Sequence, residues 1–219
     1  MKKQLTFYFV RHGRTVWNEQ GLLQGQGDSP LIAEGIEGAM KTGKHLANIP
    51  FVAAYSSVLK RAMDTAEYII GERNIPFFQH KGLNEHSFGS WEGALVSHLR
   101  QNEEYQQMTK DPANFQAKSN RGETFGELAK RAMKAIDEII QIHHSGNILV
   151  VSHGHTLHLL LALFDGSTWQ NHRENPRVTR LANTSISIVR YEQAENESAG
   201  RFVLETVNST AHLSCFRQK

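Results

Sequence analysis

Two short apolar runs decide the reading of this chain: Phe7-Tyr8-Phe9-Val10 ends in Arg11-His12-Gly13, and Ile148-Leu149-Val150-Val151 ends in Ser152-His153-Gly154. Runs of this kind, bounded by glycine, read as strands buried on both faces, the habit of parallel sheets. In α/β folds the carboxyl ends of parallel strands face the ligand crevice. Glycine after each histidine lets the backbone turn and approach what is bound. If the two strands are neighbours, the two imidazoles meet side by side. A phosphate site worked by histidines is the expectation.

Around these two runs, strand patterns cover Leu5–Val10, Val52–Ser56, Pro76–Gln79 and Asn147–Val151, interleaved with helical spacing over Glu34–Leu46, over Val58–Gly71 with Ser57 as its cap, and after His153. Gly122-Glu123-Thr124 opens an amphipathic helix with Leu128, Ala132, Ala135, Ile136, Ile139 and Ile140 on one face. Thr184–Tyr191 and Phe202–Asn208 flank a polar turn and read as an antiparallel edge hairpin. The expected fold is a three-layer α/β/α sandwich with a mostly parallel sheet, an antiparallel edge and a small inserted helical lid around 86–121. No linker or repeat divides the chain, so residues 1–219 are expected to form one domain.

Composition removes several functions. Lys and Arg number 24 against 22 Asp and Glu, so neither nucleic acid nor another polyanion is an expected partner. Cys215 is the single cysteine, which excludes an internal disulfide and a thiolate metal cluster; in its polar tail it reads as a bystander. The basic Met1-Lys2-Lys3 and the apolar stretch after it are too short for a secretory signal, and the apolar run Leu157–Phe164 is too short for a membrane span. A cytoplasmic enzyme is expected, with no membrane partner. A homodimer stays open.

Four segments carry chemistry. Arg11-His12-Gly13-Arg14-Thr15 with Asn18 puts a guanidinium fork, an imidazole and neutral donors at a strand end, groups that suit a phosphate dianion. Ser57-Val58-Leu59-Lys60-Arg61 places cations in the first turns of a helix, where anions are already favoured. Lys60 and Arg61 are adjacent, so spacing alone leaves open which points inward. Leu83-Asn84-Glu85 sets a carboxylate on a loop beside aromatics, an environment that raises a carboxyl pKa and makes it a general acid. Glu92 on the same loop reads as a cap or a surface ion pair. Finally, Ser152-His153-Gly154-His155, with His158, invites comparison with a zinc site, but no acidic ligand stands near and packed or capping histidines are the better reading.

In this order the four segments resemble the histidine phosphatase, or phosphoglycerate mutase-like, superfamily. The resemblance implies that His12 is the nucleophile that takes the phosphoryl group and that Arg11, Arg61 and a charged His153 form a cationic cradle. It further implies that Asn18, Gln24, Gly25 and Gly154 border the substrate and that Glu85 is the proton donor. The substrate would be a small phosphomonoester, with no metal and no cofactor. Cofactor-dependent mutases of the family typically have arginine directly after that glutamate, where this chain has His86, and a longer, more basic segment follows it. A phosphatase is therefore favoured over a mutase and over a silent phosphate-sensing module. Two departures stand out: Arg14 adds positive charge at the pocket mouth, and Ile32 replaces a hydroxyl that would cap the next helix.

Overall fold

The computed structural model describes residues 2–214; Cys215 lies outside them. A six-stranded sheet runs in the order β3-β2-β4-β1-β5-β6. β1 (Lys3–Arg11), β2 (Phe51–Ser56), β3 (Phe77–Gln79) and β4 (Ser145–Ser152) pair in parallel. β5 (Ile186–Gln193) lies antiparallel to β1, and β6 (Arg201–Ser209) antiparallel to β5. The expected mostly parallel sheet with an antiparallel edge is the one found.

Alternation along β1 and β4 supplies both layers of core, because successive strand side chains point to opposite faces. Leu5, Phe7 and Phe9 with Ile148 and Val150 pack under α6 (Phe125–Ile142) and α7 (Gly154–Phe164). Val10 with Leu149 and Val151 packs under α2 (Ala33–His45) and α3 (Lys60–Ile70). A third apolar cluster joins Met108, Phe115, Phe125, Leu128 and Leu159. It anchors the inserted segment, whose regular parts are α4 (Val96–Leu99) and α5 (Glu103–Lys110).

Three local expectations change. α3 begins at Lys60, and the residue before it, Leu59, makes no side-chain cap. Ser57 lies two positions too early: its hydroxyl accepts from the Leu59 amide at 3.2 Å and otherwise turns to His153. Residues 16–20 form a short helix, α1 (Val16–Gln20), closed by a reciprocal box between Thr15 and Asn18. Thr15 is therefore a fully buried cap rather than an open phosphate donor. Gly13 also has a different reason from the one expected. A Cβ there would sit 2.6 Å from the Gly35 carbonyl oxygen, so the residue lets the β1 loop lie against the backbone of α2.

Candidate active site

Register brings the two histidines together. β1 and β4 pair Val10 with Val151 and Arg11 with Ser152, and the His12 amide continues the ladder by donating to the Ser152 carbonyl at 2.9 Å. The next residue on each strand is a histidine, and their ring centroids lie 5.1 Å apart with planes tilted by 54°.

The two rings are held differently. His12 Nδ1 lies 2.8 Å from the Gly13 carbonyl oxygen. A carbonyl can only accept, so Nδ1 carries the hydrogen and the lone pair of the neutral ring is on Nε2. His12 lines a cavity of about 1120 Å³ together with Arg11, Asn18, Gln24, Glu85 and Gly154. Burial, followed by the nearby Arg61 and Arg11 guanidinium groups, holds His12 well below the usual imidazole pKa, so it is neutral at pH 7. His153 is wholly buried, with Nε2 2.6 Å from the Ser57 hydroxyl and Nδ1 without a hydrogen-bond partner. Burial first, then Arg61, hold its pKa far down as well. The charged His153 expected from the sequence is thus neutral, because burial, reinforced by the cations around it, disfavours the proton.

The arginines divide. Arg11 donates one bond, to the Leu181 carbonyl at 2.6 Å, and its Nε is buried and unpaired. Burial brings its pKa down to about 10, which leaves it charged at neutral pH. Between the two adjacent cations of α3, Lys60 faces outward to Asp64 and Arg61 is buried. Arg61 is nevertheless committed to the chain itself: it donates to the Gly25 and Gly27 carbonyls at 2.6 and 2.8 Å and to Asp28 at 2.9 Å, with only Nε unpaired. Its field reaches both imidazoles, but it does not line the cavity.

Glu85 sits at the amino terminus of α7. Its carboxylate accepts from the backbone amides of His86, His155 and Thr156 at 2.9–3.1 Å, and from the Thr156 hydroxyl at 3.2 Å. These donors fix its position where it borders the same cavity as His12. Gln24 borders the cavity too, although its side chain is engaged by Thr15 and Ser29. Gly25 does not border it. A Cβ there would come within 2.4 Å of Glu92, so its role is to let the loop pass that carboxylate. Glu92 is the C-cap residue of the short helical turn Gly89–Trp91 and, among the described residues, makes no ion pair: its carboxylate accepts from the amides of Gln26, Gly27 and Phe88 at 2.6–3.0 Å and ties the two loops together. Arg14 lies at the cavity edge, with Glu34 2.6 Å away offsetting much of its charge.

Sequence reasoning missed Asn183. Its amide nitrogen donates to the His12 carbonyl at 2.9 Å and to Asn18 Oδ1 at 3.3 Å, bracing the nucleophile candidate from a loop that precedes β5. The polar break Ala182-Asn183-Thr184 before an apolar strand is the one signal in the sequence that could have found it. His155 packs against Phe88 and Phe125, and His158 packs against His172. Among the described residues, no three His, Cys, Asp or Glu side chains converge so as to hold a metal ion. Among them, too, no helix is long and apolar enough to cross a membrane.

A family model described as "Histidine phosphatase superfamily (branch 1)" matches residues 7–202, a span that contains both histidines, Arg11, Arg61 and Glu85. The chain belongs to the histidine phosphatase superfamily. Among relatives of this superfamily, a probable phosphoglycerate mutase GpmB of Salmonella arizonae is 31% identical over 210 residues, covering 95% of each chain. Bacillus stearothermophilus YhfR superimposes with a TM-score of 0.85 at 31% identity, over 95% of this chain and 99% of that one. The alpha-ribazole phosphatase of Shigella flexneri gives 0.78 at 29% identity, over 93% and 96%. The fold is that of the histidine phosphatases, and the relatives span both phosphatase and mutase names.

Proposed function

We propose that the protein is a phosphomonoesterase that hydrolyses a small phosphorylated metabolite through a phosphohistidine on His12, without a metal. The observation that carries this reading is the 2.8 Å bond from His12 Nδ1 to the Gly13 carbonyl, which leaves Nε2 as a lone-pair nitrogen in the cavity beside Arg11 and His153. Nε2 attacks phosphorus, the new N–P bond forms as the ester P–O bond breaks, and Glu85 gives its proton to the departing oxygen. Glu85 then takes a proton from water, which attacks the phosphohistidine and releases phosphate. Covalent catalysis splits one difficult displacement into two easier steps. Arg11 and the buried field of Arg61, with a donor from His153, offset charge on the equatorial oxygens. Asn18, Gln24 and Gly154 border the substrate.

Position 86 supports hydrolysis over isomerisation. Where mutases of the family typically carry arginine, His86 is buried among Phe88, Phe115 and Phe125, and its Nε2 lies 2.5 Å from the Glu123 carbonyl oxygen. Burial brings its pKa to about 4, so it offers the cavity no charge. The mutase reading keeps one argument in its favour, the name of the GpmB relatives. Incubation with 3-phosphoglycerate separates the two: hydrolysis releases inorganic phosphate, whereas 2-phosphoglycerate without phosphate release would establish the mutase. An acid-labile, alkali-stable phosphoryl label should be trapped on the wild type and not on His12→Ala. Glu85→Gln should slow esters of poor leaving groups about 10²–10⁴-fold and activated aryl esters far less. Equal slowing across a leaving-group series would remove Glu85 as the acid.

A further inference from the structure

The cavity that holds the reacting groups is also lined by a cation that the mechanism does not use. Arg173, from the short helical turn His172–Glu174 after α7, lines it together with His158, His172 and Tyr105. Its guanidinium lies 5.3 Å from the centroid of the Phe125 ring, and its buried Nε has no hydrogen-bond partner. Among the described residues, Arg173 has no carboxylate and no carbonyl to donate to.

That isolation sets Arg173 apart from Arg131 and Arg61. Arg131 has Glu123 on two nitrogens and three carbonyls besides. Arg61 has Asp28 and two carbonyls. A guanidinium nitrogen taken out of water without a partner, as the Arg173 Nε is, is costly. The groups around Arg173 do not compensate it. His158 and His172 are neutral, with burial bringing them to about 4 and about 3, and the only acid lining the cavity, Glu85, is held by backbone amides and the Thr156 hydroxyl. Arg11 is the comparable case: it too has a buried, unpaired Nε and no carboxylate in contact, and it stands where a phosphate is expected. Arg100, Lys110 and Arg180 also border the cavity, against Glu85 as its one acid, although the chain as a whole carries only +2. Positive charge is thus concentrated on the lining of this cavity.

We propose that Arg173 is a second anion site in the same cavity, and that the natural substrate is a phosphomonoester bearing a further oxyanion at its other end. Phe125 lies under the guanidinium at 5.3 Å, and the neutral rings of His158 and His172 leave its charge for the incoming group. This inference rests on the phosphatase reading for its assay, but the site itself is a binding claim and is tested separately.

The probes are ω-carboxyalkyl phosphates of increasing chain length, each paired with the plain alkyl phosphate of equal length. For the wild type, kcat/KM should favour the carboxylated member at least tenfold at one optimal length. Arg173→Met should collapse that ratio to within about twofold of unity, and Arg173→Lys should restore part of it. Calorimetry on His12→Ala, which cannot turn over, should show the same preference in Kd and its loss in His12→Ala/Arg173→Met. If the wild type does not hydrolyse any ester but the calorimetric preference is present, the phosphatase reading fails and the anion site stands. A ratio near one in the wild type, a ratio untouched by Arg173→Met, or no binding of the carboxylated probes would overturn the site.

Discussion

β1 and β4 end in the same pattern, an apolar run followed by histidine and glycine, yet the two histidines are held in opposite ways. After His12 the chain turns into a loop, and the ring is tied to the carbonyl of its own neighbour, an acceptor that cannot change role. After His153 the chain enters α7, and the ring is tied to the Ser57 hydroxyl, which can donate or accept. The first arrangement fixes a tautomer, which a nucleophile requires. The second leaves the proton free to move when a charged ligand arrives, which suits a group that stabilises charge. Under the proposed mechanism, it is the surroundings of each ring, rather than the strand or its motif, that separate the attacking histidine from the assisting one.

Removing each ring in turn puts this contrast at greatest risk. His12→Ala should lower kcat by about 10⁴-fold or more, because the proposed mechanism forms its covalent intermediate on His12. His153→Ala should cost about 10²–10³-fold, the loss typical of one donor aimed at a developing oxyanion, while phosphoryl labelling of His12 persists. Rapid-quench measurement of label formation checks both. A larger loss for His153→Ala than for His12→Ala, or label surviving on His12→Ala, would mean the roles are exchanged.

A second difference concerns acid. Four further histidines gather on the His153 side, around α7: His86, His155, His158 and His172, all held neutral chiefly by burial. Their folded pKa values lie below that of an exposed imidazole, so as pH falls below about 6.5 the unfolded chain takes up protons that the fold refuses. Stability is therefore present above that pH and is lost on the way down towards about 4. The slope should approach about 1.4 kcal/mol per pH unit for each such histidine. Urea midpoints measured from pH 8 to pH 4.5 should be flat at the alkaline end and fall steeply below 6.5. Hydrogen exchange should show the α7 side opening first. A flat profile would mean that these rings are hydrated and already titrate normally.

The same division separates what is legible in the sequence from what is not. β1 and β4 are legible because strands buried on both faces must be apolar throughout, and the one long amphipathic helix, α6, announces its cap and its inner face. The pairing of His12 with His153 is legible because two strand ends in one parallel sheet lie at the same edge. Side-chain commitments are not. Whether Lys60 or Arg61 turns inward depends on the rotation of a helix about its axis, and Ser57 looks like a cap until His153 is seen beside it. Thr15 and Asn18 resemble phosphate donors, but their spacing equally makes a capping box, and α1 is too short to show periodicity. Asn183 reaches His12 through a loop distant in sequence, and Glu92 is satisfied by backbone amides, which carry no residue identity to read.

The mildest change tests whether the His12 side is braced through α2. Ile32 occupies the cap position of that helix with extended backbone angles of −84° and 167°, yet makes no side-chain bond to it. Its amide donates to the Arg14 carbonyl at 3.0 Å, and three residues later Gly35 lies against Gly13. A hydroxyl here would meet an unpaired amide of the first turn without moving the backbone, a change worth about 1 kcal/mol. Threonine is the better choice over serine, since it keeps a methyl where Ile32 is half-buried. Ile32→Thr should raise Tm by about 2–4 °C, the shift expected from that energy in a domain of this size. Turnover should stay within about twofold, because Ile32 contacts no part of the cavity. An unchanged or lower Tm would mean that the lost apolar contact outweighs the cap, and that α2 is held by Gly13 and Gly35 rather than by its own terminus.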